Sequence, residues 1–384
     1  MRDWWKTPAP RFLLALPLLA GCGGSASKIS PSPTSSVTVA CTPASIAPGA
    51  TSQCIATTQG AAANHPVAWS ASSGTITSTG LFTSSSAAGS VTVTATSAQN
   101  SMLFGTAVIT VQPIIPASKH VVMVMEENQS YSTVVGNTAV WPHLNALLGS
   151  GALPTNYFAD AHFSIGNYFM LTTGQLLTTD DNSTTVWNVD NIARRMLAAG
   201  VSFRVYAEGI TQGYLGGDTG LYVLRHNPFP MLSDVADNPS VANQTIWPFT
   251  QFAADVANHS LPEFSFIVPD LNDDAHNGTP LQADDWLQAN VVAPLSGYPA
   301  FQPGGDGILI VDFDEADVAD SNHGGGHVAP VLWGPVVKSG YTQTSSTLYQ
   351  HQSMLRAVME ALGLPNPPAA AGGAPSMSEF FVQK

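Results

Sequence analysis

The feature that most constrains this chain is a set of short runs in its second half that are apolar on successive residues. "HVVMVM" (120–125), "EFSFIV" (263–268) and "GILIVDF" (307–313) show little polar alternation, so they read as strands covered on both faces. Stretches with helical spacing separate them: "NIARRMLAAG" before the strand "VSFRVYAEG", "FTQFAADVAN" before "EFSFIVPD", and "PLQADDWLQANVVAPLSG" before "GILIVDFDE". "VAPVLWG" adds a last strand and "LYQHQSMLRAVMEALGL" a closing amphipathic helix. Strands alternating with helices predict an α/β class with a mostly parallel, doubly wound sheet over residues 119–384. In such a sheet, ligands sit off the carboxyl ends of the strands.

Those ends are loaded with polar residues. Glu126, Glu127 and Asn128 follow the first strand, Glu208 follows "SFRVY", "PDLNDDAHNG" overlaps the end of the next, and Asp314 and Glu315 follow "GILIVDF". One acidic residue after one strand is ordinarily a solvated turn or a helix cap. Several on one edge of a parallel sheet predict a site. Glu127, Asn128, Asp314 and Glu315 make a hard, oxygen-rich set suited to Mg, Ca or Mn, or to Zn with a histidine added. "DFDEADVAD" lacks the glycine and the closing glutamate of an EF-hand loop. Ser164, in "DAHFSIGNYFMLTTG" (160–174), precedes an apolar helical run and reads as its N-cap. The same position aims backbone N–H groups and the helix dipole at an anion beside the hydroxyl. With a metal in reach, a serine there would ionise without a dedicated base. The two readings are compatible.

Residues 23–118 differ in kind. They contain no Asp, Glu or Arg and a single Lys, Lys28, in a chain of net charge −14 whose acidic residues other than Asp3 all lie at 126 or beyond. That step marks a domain boundary, and an acidic second half with no basic stripe argues against nucleic-acid binding. An anionic substrate there needs positive charge from a metal ion or clustered histidines. Over 37–113, short β-branched runs such as "SVTVACT", "ATSQCIATT" and "SVTVTATS" alternate with turn residues and predict a smaller all-β antiparallel sandwich, with Trp69 in its core. Cys41 and Cys54 fall in the first two runs, and an even pair in an exported chain predicts a disulfide between neighbouring strands. The stretch resembles the bacterial immunoglobulin-like domains of surface proteins, notably in "VAWSASSGTITSTGLFT", which implies a spacer or adhesive role. Residues 23–36, rich in Ser, Gly and Pro, read as a tether. Residues 1–22 combine Arg2, Lys6 and Arg11 with "FLLALPLLA" (12–20), too short to span a bilayer, and read as a secretory signal. Its end, "LAGC", resembles the bacterial lipobox, which implies lipidation of Cys22 and an exported lipoprotein, periplasmic or at the cell surface, held at the membrane by lipid alone.

Five stretches in order carry a further resemblance: "HVVMVMEENQSY", "TNYFADAHFSIGNYFMLTTG", "YVLRHNPF", "FIVPDLNDDAHNG" and "ILIVDFDEAD…HVAPVLWGP". They resemble the motifs of the phosphoesterase family of acid phosphatases and bacterial phospholipases C, within the alkaline phosphatase superfamily. The resemblance covers nearly all of 119–384. It implies an alkaline phosphatase-like fold and hydrolysis of a phosphate-ester substrate through a phosphoserine on Ser164. Glu127, Asn128, Asp314 and Glu315 match the family's metal-binding positions. His162, Asn167, His226, Asn272, His276 and His327 match its active-site polar positions, with His226 and His276 as catalytic histidines and the other four binding substrate. Two-metal members of the superfamily place an Asp and a His four apart. The corresponding pair here is Asn272 and His276, without the carboxylate, which implies one divalent metal ion of open identity. Ile165–Gly166 stands where relatives commonly carry Leu-Pro, a departure that bears on the turn rather than on the hydroxyl.

Other residues have plainer readings. His323 reads as a loop residue, His351 as a packing or helix-surface residue, and Trp187, Trp247 and Trp286 as packing residues. A serine esterase is the competing enzyme: "HFSIG" is a degenerate nucleophile elbow, and Asp314 followed by His327 would supply its acid and base. Against it, His162 replaces the elbow's first glycine, and the two acidic pairs have no task in acyl transfer. A non-catalytic surface adhesin would account for residues 37–113 but not for the polar strand ends. Within the phosphoester reading, the compact catalytic region, without the long C-terminal extension of many bacterial phospholipases C, favours a monoesterase over a phospholipase C-type diesterase.

Overall fold

The computed structural model describes residues 35–383 apart from 48, 61–64, 86–88 and 112–113. The expected signal segment with Cys22, and all but the last two residues of the expected tether 23–36, lie outside the described residues.

Two four-stranded sheets occupy the first part. One has the order β1 (Ser36–Thr42), β3 (Thr51–Gln59), β6 (Leu81–Thr83), β5 (Thr75–Ile76), and the other β2 (Ser45–Ile46), β8 (Phe104–Val111), β7 (Gly89–Ser97), β4 (Val67–Ala71). Alternation along β7 and β8 puts Val91, Val93, Ile109 and Val111 into one small core with Phe82 and Ile46, and Trp69 packs half-buried against it. Cys41 and Cys54 stand directly opposite across β1 and β3 and are joined by a disulfide.

The rest of the chain is built on an eight-stranded mixed sheet of order β13 (Ile246–Pro248), β12 (Phe203–Ala207), β14 (Phe264–Val268), β9 (Val121–Glu126), β15 (Ile308–Phe313), β16 (Val331–Trp333), β10 (Ala152–Leu153), β17 (Tyr341–Thr342). The five strands from β13 to β15 run parallel, and β16 then pairs antiparallel with both β15 and β10. The mostly parallel sheet expected of an alkaline phosphatase-like chain is thus present. "VAPVLWG" is not its last strand, because β17 follows, and β18 (Tyr349–Gln350) pairs with β11 (Tyr157–Phe158) outside it. Every residue of β9, β14 and β15 is buried, which is why their sequences lack alternation.

The expected helices form at Ile192–Ala199, Thr250–Ala257, Pro280–Leu287 and His351–Ala361. Asn191 and Thr279 cap two of them by accepting the N–H of Arg194 and Gln282. No helix among the described residues is long and apolar enough to cross a membrane. For the site, the decisive arrangement is that β9 lies between β14 and β15, all three parallel. The residues that follow them therefore emerge side by side.

Candidate active site

Glu127, fully buried just past β9, is the hub. Its Oε2 accepts from the Ser164 hydroxyl at 3.0 Å and from Asn128 Nδ2 at 3.1 Å, and its Oε1 accepts from Tyr168 Oη at 2.6 Å. His226 Nε2 lies 3.2 Å from the same Oε1 without the alignment of a hydrogen bond. Glu126 is equally buried, but neither of its carboxyl oxygens has a partner, and burial, followed by Asp274 and Asp284, pushes it well above the usual carboxylate range.

Ser164 is not an N-cap. Phe163 holds that position, and Ser164 is the first residue of the helix Ser164–Thr173. Its hydroxyl is free to face Glu127 because it does not turn back to the N–H groups of its own helix. Asp181 Oδ1 accepts the Ile165 N–H at 3.2 Å instead. Phe163 has φ 68° and ψ 130°, a conformation costing a non-glycine residue about 1–3 kcal/mol, and its side chain is exposed. Asn128 (φ 54°) and Ala275 (φ 70°) are left-handed as well. Three of the loops that supply the site thus carry a left-handed residue beside a polar one.

After β15, Asp314 Oδ1 accepts the N–H groups of Asn128 (3.0 Å) and Glu315 (2.6 Å), while its Oδ2 is buried with no partner. Glu315 Oε2 lies 2.9 Å from His162 Nδ1, and His162 Nε2 lies 2.9 Å from the Asp320 carbonyl. A carbonyl only accepts, so that nitrogen carries a proton. Burial, then Asp314 and Asp181, pushes Glu315 up to about 9. His162 therefore orients Glu315 and has no nitrogen left for substrate.

His226 is buried, stacked on Tyr168, with Nδ1 3.1 Å from Asp274 Oδ2. Burial, helped by the charges of Arg225 and His276, pulls it down to about 3 against the opposing pull of Asp314. That direction favours the neutral imidazole over its protonated form. His276 is exposed, with Nδ1 2.9 Å from Asn277 Oδ1 and Nε2 3.4 Å from Arg225 Nη2. One ligand atom each from Glu127, His226 and His276 lies within 4.8 Å of the others.

Asp274 went unread in the sequence. It is buried, accepts the His276 N–H at 2.8 Å through Oδ1, faces His226 through Oδ2, and takes the Glu127 N–H on its carbonyl at 2.8 Å. Burial raises it to about 7. A carboxylate thus stands two residues past Asn272, engaged by the His276 N–H and by His226. The loop folds back on itself: Leu271 O accepts the Asn277 N–H at 2.6 Å, and a Cβ at Gly278 would sit 1.9 Å from Asn272 O. A spacing of four residues carries no geometry through such a turn. The Asn272 side chain joins none of these contacts.

Three further expectations change. Asn167 is fully buried, and its amide is held by backbone: Oδ1 accepts from the N–H of Asp160 (3.0 Å) and Ala161 (3.1 Å), and Nδ2 donates to Ala161 O (2.7 Å). It shapes the loop ahead of Ser164. His327 stacks on Tyr131 and Phe158, with Nε2 on the Thr155 carbonyl, and neither Ser164 nor Asp314 is among the partners of its ring. His351 is no surface residue: it is fully buried, with Nδ1 3.0 Å from Tyr157 Oη and Nε2 2.7 Å from Asp314 O. Burial opposes its charge, but Asp312 outweighs that and raises it to about 9.

The donor set fits a divalent cation. Asp314 Oδ2 and His226 Nε2 are buried without hydrogen-bond partners beside Glu127, itself pushed well above the usual carboxylate range by burial, then by Asp314 and Asp274. Acids crowded in this way ionise together only around positive charge. Carboxylate, imidazole and the free Asn128 amide oxygen are ordinary ligands. Glu208, Asp270 and Asp273 form a second group of carboxylates, half-buried beyond β12 and β14. A cleft of about 600 Å³ lined by Arg204, Trp247 and Pro262 opens at the other ends of those strands, away from Ser164.

Residues 137–365 match the phosphoesterase family. The chain is 30% identical over 265 residues to a phosphatidylinositol-3-phosphatase of Mycobacterium tuberculosis, covering 68% of this chain and 82% of that one. It is 30% identical over 233 residues to a phosphate-repressible acid phosphatase of Penicillium chrysogenum, covering 58% of this chain and 55% of that one. Across the fungal acid phosphatases it matches, the chain spans between 50% and 63% of their length. The lipoteichoic acid synthase LtaP of Listeria monocytogenes superposes with a TM-score of 0.51 at 9% identity, over 70% of this chain and 78% of that one, a likeness of fold alone.

Proposed function

Because the chain belongs to the phosphoesterase family, hydrolases of phosphate esters, we propose that it is a metal-dependent, acid phosphatase-like phosphomonoesterase working through a phosphoserine on Ser164. The observation that carries this reading is the Ser164 hydroxyl donating to Glu127 at 3.0 Å beside a buried set of acids and histidines. A divalent ion held by Glu127, with Asp314, Asn128, His226 and His276 around it, would supply the positive charge that a phosphate and a serine oxyanion both need. The chain's own groups do the rest. Ser164 passes its proton to Glu127 as its oxygen bonds phosphorus and the ester bond to the leaving group breaks. A water at the exposed mouth returns a proton to the departing alkoxide. Tyr168 fixes Glu127, and Asp274 fixes His226. Water then cleaves the phosphoserine and restores the hydroxyl. The names of the relatives, acid phosphatases and a phosphatidylinositol phosphatase, support monoesters over the diesters of phospholipase C-type enzymes.

The same proposal includes an exported lipoprotein attached through Cys22 and an immunoglobulin-like module over 37–113. The paired four-stranded sheets and their disulfide support the second part.

The test is turnover of a chromogenic phosphomonoester with and without chelator and added metals. Chelation should abolish it, and a divalent metal should restore it. Ser164→Ala should lose orders of magnitude, and wild-type protein quenched in acid during turnover should carry phosphate on the peptide containing Ser164. Near-normal turnover by Ser164→Ala would refute the mechanism.

A further inference from the structure

Arginines in this structure are almost all neutralised. Arg194 pairs with Asp234, Arg195 with Asp190, Arg204 with Asp255 and Arg356 with Glu360. Arg225 is the exception among the described residues. Its one polar contact is Nη2 to His276 Nε2 at 3.4 Å, and no carboxylate pairs with it directly, although its charge reaches the buried Asp274. In a chain of net charge −14, a guanidinium left without an acid at the edge of an acidic site calls for an anion.

Its placement is built. Arg225 sits in the short 3-10 turn Leu224–His226, whose Leu224 and His226 side chains are buried while Arg225 is only half-buried. Asp218 Oδ1 accepts the Leu224 N–H at 2.8 Å, and Asp274 holds His226, so both neighbours of Arg225 are fixed. The guanidinium thus stands beside His276, whose ring reaches the Glu127–His226 pair, and Glu127 in turn holds Ser164.

We propose that Arg225 anchors the transferred phosphate and makes the site selective for phosphomonoesters over diesters, an inference that rests on the phosphoester reading above. A guanidinium keeps its charge at any working pH and offers N–H donors in a planar fork that matches two oxygens of one phosphate. A monoester has three non-bridging oxygens, so one would point to the cation that Glu127, Asp314 and His226 would hold while two meet the fork. A diester has only two, and the fork then finds a single oxygen.

The test uses the full chain with Arg225→Gln and Arg225→Lys, on p-nitrophenyl phosphate and bis(p-nitrophenyl) phosphate, which share a leaving group. Arg225→Gln should lower kcat/KM on the monoester by about ten- to hundredfold and change the diester by less than about threefold, the scale of hydrogen bonds to a charged group. Arg225→Lys should fall between, since it keeps the charge and loses the fork. Calorimetric titration with inorganic phosphate should show weaker binding to Arg225→Gln than to wild type. Equal losses on both esters, or unchanged phosphate affinity, would overturn the proposal. If wild type hydrolyses neither ester, the catalytic reading fails, and the phosphate titration still decides the role of Arg225.

Discussion

At the scale of single residues, a motif position and a contact with substrate are different things. Asn167 stands in the Ser164 motif, three residues past the hydroxyl, yet its amide holds the backbone of Asp160 and Ala161. Asn167→Ala would leave two N–H groups and a carbonyl without partners in a buried place, at about 1–3 kcal/mol for each group left unpaired. Urea unfolding should show a loss of that order, with phosphate affinity little changed in whatever protein remains folded. A variant of wild-type stability with weakened phosphate binding would return Asn167 to the substrate. The sequence announced residues here by type but not by direction. Glu127, Asn128, Asp314, Glu315, His226 and His276 do gather, because each follows or flanks a buried strand or turn whose end is fixed. His327 does not, since its ring is wedged against Tyr131 and Phe158, and no local pattern encodes that stacking. Asp274 was hidden in a run of acids, where only the doubled-back loop decides which carboxylate turns inward.

Elements were easier to read than turns. A strand buried on both faces must be apolar throughout, so β9, β14 and β15 declare themselves, and parallel neighbours bring their carboxyl ends together. The turn before Ser164 gave no such signal, because a phenylalanine at φ 68° is the opposite of what propensity suggests. Packing of a helix on the sheet can rest on polar contacts that are equally illegible. Asp255, on the helix Thr250–Ala257, accepts from Arg204 and from Tyr206 Oη on β12 and from Gln251 Nε2. Burial works to raise its carboxyl, but the bonds from Tyr206, Gln251 and Arg204 prevail and hold it below the usual range. A folded-state value below the unfolded one means that the charged form stabilises the fold. That contribution is present above the unfolded value, about 3.9, and is lost as pH falls through the folded one. The stability gap between wild type and Asp255→Asn should therefore be constant from about pH 5 to 8 and close on further acidification. Urea midpoints across that range would show it, and a gap that widens in acid would contradict the assignment.

For the whole molecule, the described residues form two hydrophobic cores, one around the eight-stranded sheet and a small one between the two N-terminal sheets. The charge follows the same division: the first part is nearly uncharged, while the acids lie at 126 and beyond. A core as small as that of Phe82, Val91, Val93 and Ile109 gains from a covalent link, and Cys41–Cys54 closes a loop across 13 positions. Such a link restricts the unfolded chain by roughly 3 kcal/mol. The residues assigned to catalysis all belong to the other part, so the two properties should separate. Heating should resolve two transitions, and a reductant, or Cys54→Ser paired with Cys41→Ser, should lower one of them by about 10 °C or more. Phosphomonoester turnover below that transition should be unchanged. Calorimetry with a parallel activity assay makes the comparison directly. If reduction abolished turnover along with the weaker transition, the N-terminal sheets would have to be counted as part of the active site, and a site built only from the strand ends of the larger sheet would be refuted.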